Sequence, residues 1–158
     1  MCGIIGYIHK DKEYDQQVIK NMTEKIIHRG PDSSGFYEND DISFGFRRLS
    51  IIDLSSEADQ PFYNADRTKI LIFNGEIYNY KELREELIKE GYKFKSETDS
   101  EVIIHGYDFW GKDILDRLRG MFAFAVWDTK KKELFIARDP FGIKPLYYTQ
   151  NTKDGNLI

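Results

Sequence analysis

The spacing of apolar positions along the chain changes several times, and each change predicts an element. Gly3 to Ile8 is a short apolar run of strand type that runs into the charged turn Lys10 to Glu13. From Asp15 onward Val18, Ile19, Met22, Ile26 and Ile27 recur at helical spacing until Gly30 and Pro31 stop the pattern, which predicts a first helix. Phe36 to Glu38 and Ile42 to Ile52, joined through Asn39, Asp40 and Asp41, read as a hairpin, and a loop follows from Ser55 to Gln60. Lys69 to Phe73 is a β-branched and aromatic run with Asn74 and Gly75 at its end, so these two positions are expected at a strand terminus.

Tyr80 to Glu90 carries Leu83, Leu87 and Ile88 on one face, with Gly91 as the C-terminal cap, and predicts a second helix. Thr98 and Glu101 have capping-box spacing ahead of Val102, Ile103, Ile104 and Tyr107, so a third helix should begin near Asp99. A short fourth is expected over Asp113 to Leu118. Met121 to Trp127 and Glu133 to Ala137 read as strands, and Leu146 to Thr149 as a further short one. Strands in bunches with helices grouped between them point to an α+β domain, two sheets with helices outside, and not to strict βα alternation.

Composition narrows the function classes. A chain of 158 residues is the length of one ordinary domain and needs no disulfides to hold a core. Its formal charge of -4 offers no long-range attraction to phosphate backbones, so nucleic acid is not expected as a partner. Lys130, Lys131 and Lys132 follow Asp128 and Thr129 between two apolar runs, where a solvated hairpin tip accounts for them. No apolar run approaches the roughly 18 residues that cross a bilayer, and the N-terminus lacks the pattern of a secretory signal; a cytoplasmic protein is expected. One cysteine cannot form an internal disulfide, and His9, His28 and His105 do not supply a zinc cluster, so no metal is expected.

Cys2 therefore needs another explanation. It follows the initiator methionine, and a small second residue generally permits methionine removal, leaving a thiol and a free α-amine on one residue. A thiol of pKa near ~8.5 is a few per cent thiolate at pH 7, whereas an α-amine near ~7.8 is already partly neutral and can take the proton. One residue would then supply nucleophile and base. Position alone leaves open a chemically silent residue at a start codon. An acyl substrate of such a nucleophile passes through an oxyanion that needs preorganised donors. Asn74 offers a side-chain amide and Gly75 a backbone N–H, although an Asn-Gly pair alone can also be just a tight turn.

Seven ordered segments then resemble one family over essentially the whole length. They are Met1-Cys2-Gly3-Ile4-Ile5-Gly6, His28-Arg29-Gly30-Pro31-Asp32, Arg48-Leu49-Ser50-Ile51-Ile52-Asp53, Asn74-Gly75-Glu76-Ile77-Tyr78-Asn79, Thr98-Asp99-Ser100-Glu101, Gly120-Met121-Phe122-Ala123-Phe124-Ala125 and Arg138-Asp139-Pro140-Phe141-Gly142-Ile143-Lys144-Pro145-Leu146. The chain resembles the class II glutamine amidotransferases. Within them, the Asn-Gly-Glu-Ile-Tyr-Asn and Arg-Leu-Ser-Ile-Ile segments look more like the glutaminase half of glutamine-hydrolysing asparagine synthetase than like enzymes with phosphoribosyl or fructose 6-phosphate acceptors.

The resemblance implies a four-layer αββα sandwich of two mostly antiparallel sheets flanked by helices, of N-terminal nucleophile hydrolase type. It also implies hydrolysis of glutamine through a thioester on Cys2, with Asn74 and Gly75 as the oxyanion hole. Arg48, Glu76 and Asp99 would hold the amino acid end of glutamine, the guanidinium on the α-carboxylate and the carboxylates on the α-ammonium, and main-chain groups around Leu49 and Ile52 would complete the pocket. Residues 1–158 are expected to form the glutaminase domain alone. An apolar run is just beginning at Asn156, Leu157 and Ile158, so the chain is expected to be cut at its C-terminal end, with the synthetase domain missing. Neither a Gly-rich Lys-Ser/Thr loop nor a Ser-Gly-Gly loop is present, so no cofactor is expected in this chain, and ATP and magnesium only in that other domain. The implied partners are glutamine, a C-terminal synthetase domain or separate acceptor protein, and a second copy in a homodimer. Two further readings stay open: a different acceptor, sugar phosphate or phosphoribosyl, and a glutamine-binding regulatory module without turnover.

Overall fold

A computed structural model describes residues 2–10, 15–51, 53–150 and 155–157. Met1, residues 11–14, Ile52, residues 151–154 and Ile158 lie outside the described residues, and with them the expectations about methionine removal and the Ile52 pocket wall. The strands are β1 (Gly3–His9), β2 (Ser33–Glu38), β3 (Ile42–Arg48), β4 (Phe62–Tyr63), β5 (Lys69–Ile77), β6 (Gly120–Asp128), β7 (Glu133–Arg138) and β8 (Gly155–Leu157). The helices are α1 (Gln16–Lys25), α2 (Tyr80–Lys89) and α3 (Ser100–Trp110). One sheet has the order β2-β3-β1-β8 and the other β4-β5-β6-β7, and the strand pairings within both are antiparallel.

Strand alternation turns these sheets into layers, because successive side chains face opposite sides. In β5, Ile70 and Ile72 pack with Ile42, Phe44 and Phe46 of β3 between the sheets, while Leu71, Phe73 and Ile77 pack against Leu83, Leu87, Val102 and Ile103 of α2 and α3. In β1, Ile4 and Ile8 join the inter-sheet cluster, while Ile5 and Tyr7 pack with Ile19 of α1. Three apolar interfaces separate four layers, the expected αββα sandwich.

Local chemistry sets the element ends. The Asp15 carboxylate accepts the Gln17 amide at 2.8 Å and starts α1. That helix ends at Lys25, earlier than the apolar spacing suggests, and the chain passes through a 3₁₀ turn, Ile27–Arg29, before Gly30. Gly91, at φ +93°, follows α2, and the Tyr92 N–H bonds back to the Leu87 carbonyl, as the cap requires. The third helix begins where expected but without the Thr98 capping box. Asp99 is the N-cap, the Thr98 hydroxyl pairs with Ser96 Oγ at 2.9 Å, and the Glu101 carboxylate turns back to the Lys95 and Ser96 amides. The expected fourth helix is a 3₁₀ segment, Gly111–Asp116.

At the lysine hairpin tip, Asp128 accepts the Lys130 and Lys131 amides, and the exposed Lys130 and Lys132 ammonium groups pair with Asp66 and Asp41, as a solvated turn should. Leu146 to Thr149 forms no strand beyond an isolated bridge at Thr149. Asp139 ties the preceding loop by accepting the Phe141, Ile143 and Lys144 amides, and the exposed Tyr147 and Tyr148 have no neighbouring strand to join among the described residues.

Candidate active site

The same alternation sets the site. On β1 and its approach, Cys2 shares the inter-sheet face with Ile4 and packs against that cluster. On β3, Arg48 follows Phe46 on the same face, whereas Arg47 turns to the other side and bonds the Thr23 carbonyl and Glu24 of α1. On β5, Asn74 and Glu76 continue the face of Ile70 and Ile72. Cys2, Arg48, Asn74 and Glu76 therefore lie where the inter-sheet core runs out. There they line a cavity of about 160 Å³ together with Leu49, Gly75 and Asp99. All the described residues expected at the site from the sequence border this one cavity.

The Cys2 thiol is partly buried and engaged by main chain. The Leu49 N–H reaches Sγ at 3.5 Å, and the thiol lies 3.7 Å from the Leu49 carbonyl, which it meets as donor. The Cys2 carbonyl accepts Arg29 at 3.4 Å.

Asn74 and Gly75 are not at a strand terminus. β5 continues to Ile77, with Asn74 opposite Ala123 and Gly75 opposite Phe122. The turn preference of Asn-Gly yields to pairing with β6. What exposes these positions is the shortness of β4, which pairs only with Ile70 and Leu71.

Antiparallel strands alternate hydrogen-bonded with non-hydrogen-bonded pairs, and four observations fix the phase. Tyr78 N–H donates to the Arg119 carbonyl at 2.7 Å, so the backbone N–H and C=O groups of even-numbered β5 residues point toward β6. Phe122, opposite Gly75, exchanges its backbone bonds with Asp139 instead. The Phe73 N–H and carbonyl both bond the Gln60 side-chain amide, and the Ile77 N–H donates to Asp99 Oδ2 at 2.8 Å. The Gly75 N–H points the same way as those of Phe73 and Ile77, into the cavity, between the Gln60 and Asp99 side chains. Asn74 is 5% exposed and its side-chain amide has no partner among the described residues. Two donors with no partner among the described residues thus border the same cavity as the thiol.

A glycine is required at 75 for a reason beyond access to a ligand. A Cβ there would lie 2.3 Å from the Met121 carbonyl oxygen and 2.8 Å from the Phe122 Cα.

The charged residues are held tightly. Arg48 is 7% exposed and donates to the Ser55 carbonyl and to Asp59, each at 2.8 Å, and to the Asp53 carbonyl. Its Nε–H has no partner among the described residues. Asp99 is buried, and burial is the main cause that pushes its carboxyl up to about 6. The Ile77 N–H opposes the shift, and the neighbouring charge of exposed Glu76 adds to it.

Several lining residues are not among those expected at the site. Gln60 and Thr98 line the cavity, and so does Lys144, buried within the Arg138 to Leu146 segment but given no role there. Only the sheet register reveals Gln60. Among the described residues no group of three or more His, Cys, Asp and Glu side chains is suited to a metal ion, and no helix is long and apolar enough to cross a membrane.

The chain is similar to known proteins over nearly its whole length. The chain is 50% identical to asparagine synthetase [glutamine-hydrolyzing] 1 of Bacillus subtilis over 94% of its own length and 24% of that protein's. It is 43% identical to the second such enzyme of that organism over 95% of the chain and 20% of the relative, and 40% identical to asparagine synthetase [glutamine-hydrolyzing] 1 of Arabidopsis thaliana over 93% and 25%. The chain therefore spans between 20% and 25% of the length of these curated relatives. The fold is shared with the glutamine phosphoribosylpyrophosphate amidotransferase of B. subtilis complexed with ADP and GMP, at a TM-score of 0.63 and 21% identity, covering 98% of this chain and 34% of that one. The family model described as the glutamine amidotransferase domain matches residues 1–158, and the chain belongs to that family.

Proposed function

We propose that this chain hydrolyses the side-chain amide of glutamine to glutamate and ammonia, with Cys2 as nucleophile. The observation that carries the reading is the convergence of the Cys2 thiol, the unengaged Asn74 amide and the Gly75 N–H on one small cavity. After removal of Met1, the α-amine of Cys2 takes the thiol proton as Sγ attacks the amide carbon. Asn74 and Gly75 donate to the oxyanion, which is where preorganised donors act most strongly. The intermediate collapses to a thioester, the C–N bond breaks, and the ammonium form of the Cys2 amine returns the proton to the leaving ammonia. Water then attacks the thioester with the amine again taking its proton, the C–S bond breaks, the ammonium returns that proton to the Cys2 sulfur, and glutamate leaves.

Arg48 takes the α-carboxylate of glutamine through its Nε edge, and its bonds to Asp59, Ser55 and Asp53 hold it rigid. Glu76 and Asp99 take the α-ammonium. Leu49 shapes the cavity through its main chain.

The names of the curated relatives favour aspartate as the acceptor. In this reading residues 1–158 are the glutaminase half of a cytoplasmic asparagine synthetase, and the ammonia passes to a synthetase domain that joins it to aspartate at the expense of ATP. ATP and magnesium belong to that domain, and the glutaminase chemistry uses only this chain's own residues.

The test is glutamate release by the Met1-processed chain beside a Cys2→Ala variant. Turnover in the first and none in the second is expected, and equal rates would remove Cys2 from the mechanism. A retained N-terminal methionine should silence the chain, because the amine is then an amide. Asparagine formation from aspartate and ATP by the chain joined to a synthetase domain tests the acceptor.

A further inference from the structure

We propose that Gln60 is a positioning residue for amide hydrolysis, its side chain standing in for the strand that β5 lacks beyond Leu71 and so holding the Gly75 N–H aimed into the cavity. The inference rests on the proposed glutaminase function, in which that N–H stabilises the oxyanion.

The register makes the case. β4 pairs Phe62 with Leu71 and Tyr63 with Ile70. Continuing that register places Gln60 opposite Phe73, at a position where two strand residues would exchange both backbone hydrogen bonds. The Gln60 side chain takes over: Oε1 accepts the Phe73 N–H at 2.6 Å, and Nε2 donates to the Phe73 carbonyl at 3.1 Å. A side-chain amide has the same donor and acceptor as a peptide group, so it satisfies both buried groups at once.

Because the stand-in is a side chain, pairing stops at Phe73. A true strand would carry the ladder on toward Gly75 and consume its N–H. On the far side of Gly75 the Asp99 carboxylate takes the Ile77 N–H in the same manner. Gly75 is thus fixed from both sides while its own N–H stays open.

Gln60 is itself immobilised. It is 5% exposed, and Gly35 of β2 approaches so closely that a Cβ there would lie 1.8 Å from the Gln60 carbonyl oxygen. One residue thereby ties the two sheets together at the site.

The test compares the Met1-processed chain with Gln60→Met and Gln60→Glu, measuring kcat and KM for glutamine and the unfolding midpoint. Losing an oxyanion donor outright costs about 10²- to 10³-fold in rate. A donor left in place but unaligned should cost kcat on the order of 10- to 100-fold. KM should stay close to that of the native chain, since Gln60 touches the strand and not the amino acid end of the substrate. Gln60→Glu adds a pH signature. Ionised, it accepts the Phe73 N–H but repels the Phe73 carbonyl; protonated, it regains the donor. Burial raises the pKa of such a carboxyl, so the ratio of its kcat to that of the native chain should climb as pH falls from 8 to 5.

No glutamate release from the native chain would overturn the glutaminase function itself. A native chain that turns over, with Gln60→Met holding kcat within about twofold or losing kcat only in step with a rising KM, would overturn the role of Gln60 alone. Should Gln60→Met fail to fold, a Gln60→Glu ratio that stays flat with pH would overturn that role equally.

Discussion

The Asp99 carboxylate accepts the Ile77 N–H at 2.8 Å and feels the charge of Glu76, so one buried acid both terminates the open edge of β5 and lines the cavity together with a second carboxylate. Its desolvation is what a cation entering the cavity would relieve.

Glutamine binding should therefore depend on the ionisation of Asp99. Burial pushes that carboxyl up from 3.8 to about 6, so the folded chain holds the proton more tightly than the unfolded one. By linkage, the stability this contributes is complete below about 3.8 and is lost as pH rises through about 6. The α-ammonium of glutamine reverses the preference by favouring the ionised acid. Glutamine affinity of the Cys2→Ala variant, measured by calorimetry, should rise about tenfold from pH 5 to pH 7 and then level. Asp99→Asn should bind more weakly at pH 7 and lose this dependence. A flat profile in the variant that keeps Asp99 would refute the assignment.

Asn74 and Gly75 should separate chemistry from folding. The Asn74 side chain has no hydrogen-bond partner among the described residues, so Asn74→Ala should leave the urea midpoint nearly unchanged while kcat falls about 10²- to 10³-fold. Gly75→Ala puts a Cβ against the Met121 carbonyl oxygen and Phe122 Cα, backbone atoms that no rotamer change can move. It should cost about 2 kcal/mol of stability or more as β5 and β6 are forced apart. Equal midpoints for the two variants would contradict this division.

The two positions also show how far a sequence can be read. Alternation places the strands and helices because each element has one apolar face, and the layers follow from those faces. Cys2, Asn74 and Asp99 are legible because their chemistry is local to a short segment. Misplacing Asn74 and Gly75 at a strand end has a plain cause: Asn-Gly favours a turn, and only contact with β6, over forty residues later, overrides it. Gln60 is hidden for a similar reason. Its role depends on a β4 of two residues and on register opposite Phe73, neither of which leaves a periodic trace. The Leu146 to Thr149 strand fails in the other direction, since apolar residues make a strand only where a neighbour is available to pair.

Arg48 should set affinity more than rate. Its guanidinium spans Asp59 and the carbonyls of Ser55 and Asp53, which a single ammonium cannot do from one point. Arg48→Lys keeps the charge but loses the planar edge offered to the α-carboxylate. KM for glutamine should rise roughly 10- to 100-fold, equivalent to about 1.5–3 kcal/mol for hydrogen bonds to a charged group, with kcat changed far less. Glutamate release at saturating and limiting glutamine reads the split directly, and an unaltered KM would free Arg48 from any contact with substrate.

Glu101 should matter to acid stability and not to turnover. It is buried at the start of α3, where its carboxylate accepts the Lys95 and Ser96 amides, the Ser96 hydroxyl at 2.7 Å and His105 Nε2 at 3.3 Å. Burial alone would raise its pKa, but the His105 and Ser96 hydrogen bonds, with the two amides, outweigh it and hold the carboxyl at about 2, below its ordinary 4.5. For an acid depressed in this way, the stabilisation is complete above about 4.5 and disappears as pH falls through about 2. Glu101→Gln leaves the amides and the hydroxyl with a neutral, weaker acceptor, and should cost about 2 kcal/mol at pH 7. In a domain of this size that corresponds to a fall in Tm of roughly 4–8 °C. The gap between the two Tm curves should narrow steadily below pH 4.5 and close near pH 2, while kcat at 25 °C stays the same. A gap that persists unchanged to about pH 2 would mean that the ionised carboxylate is not what stabilises this turn.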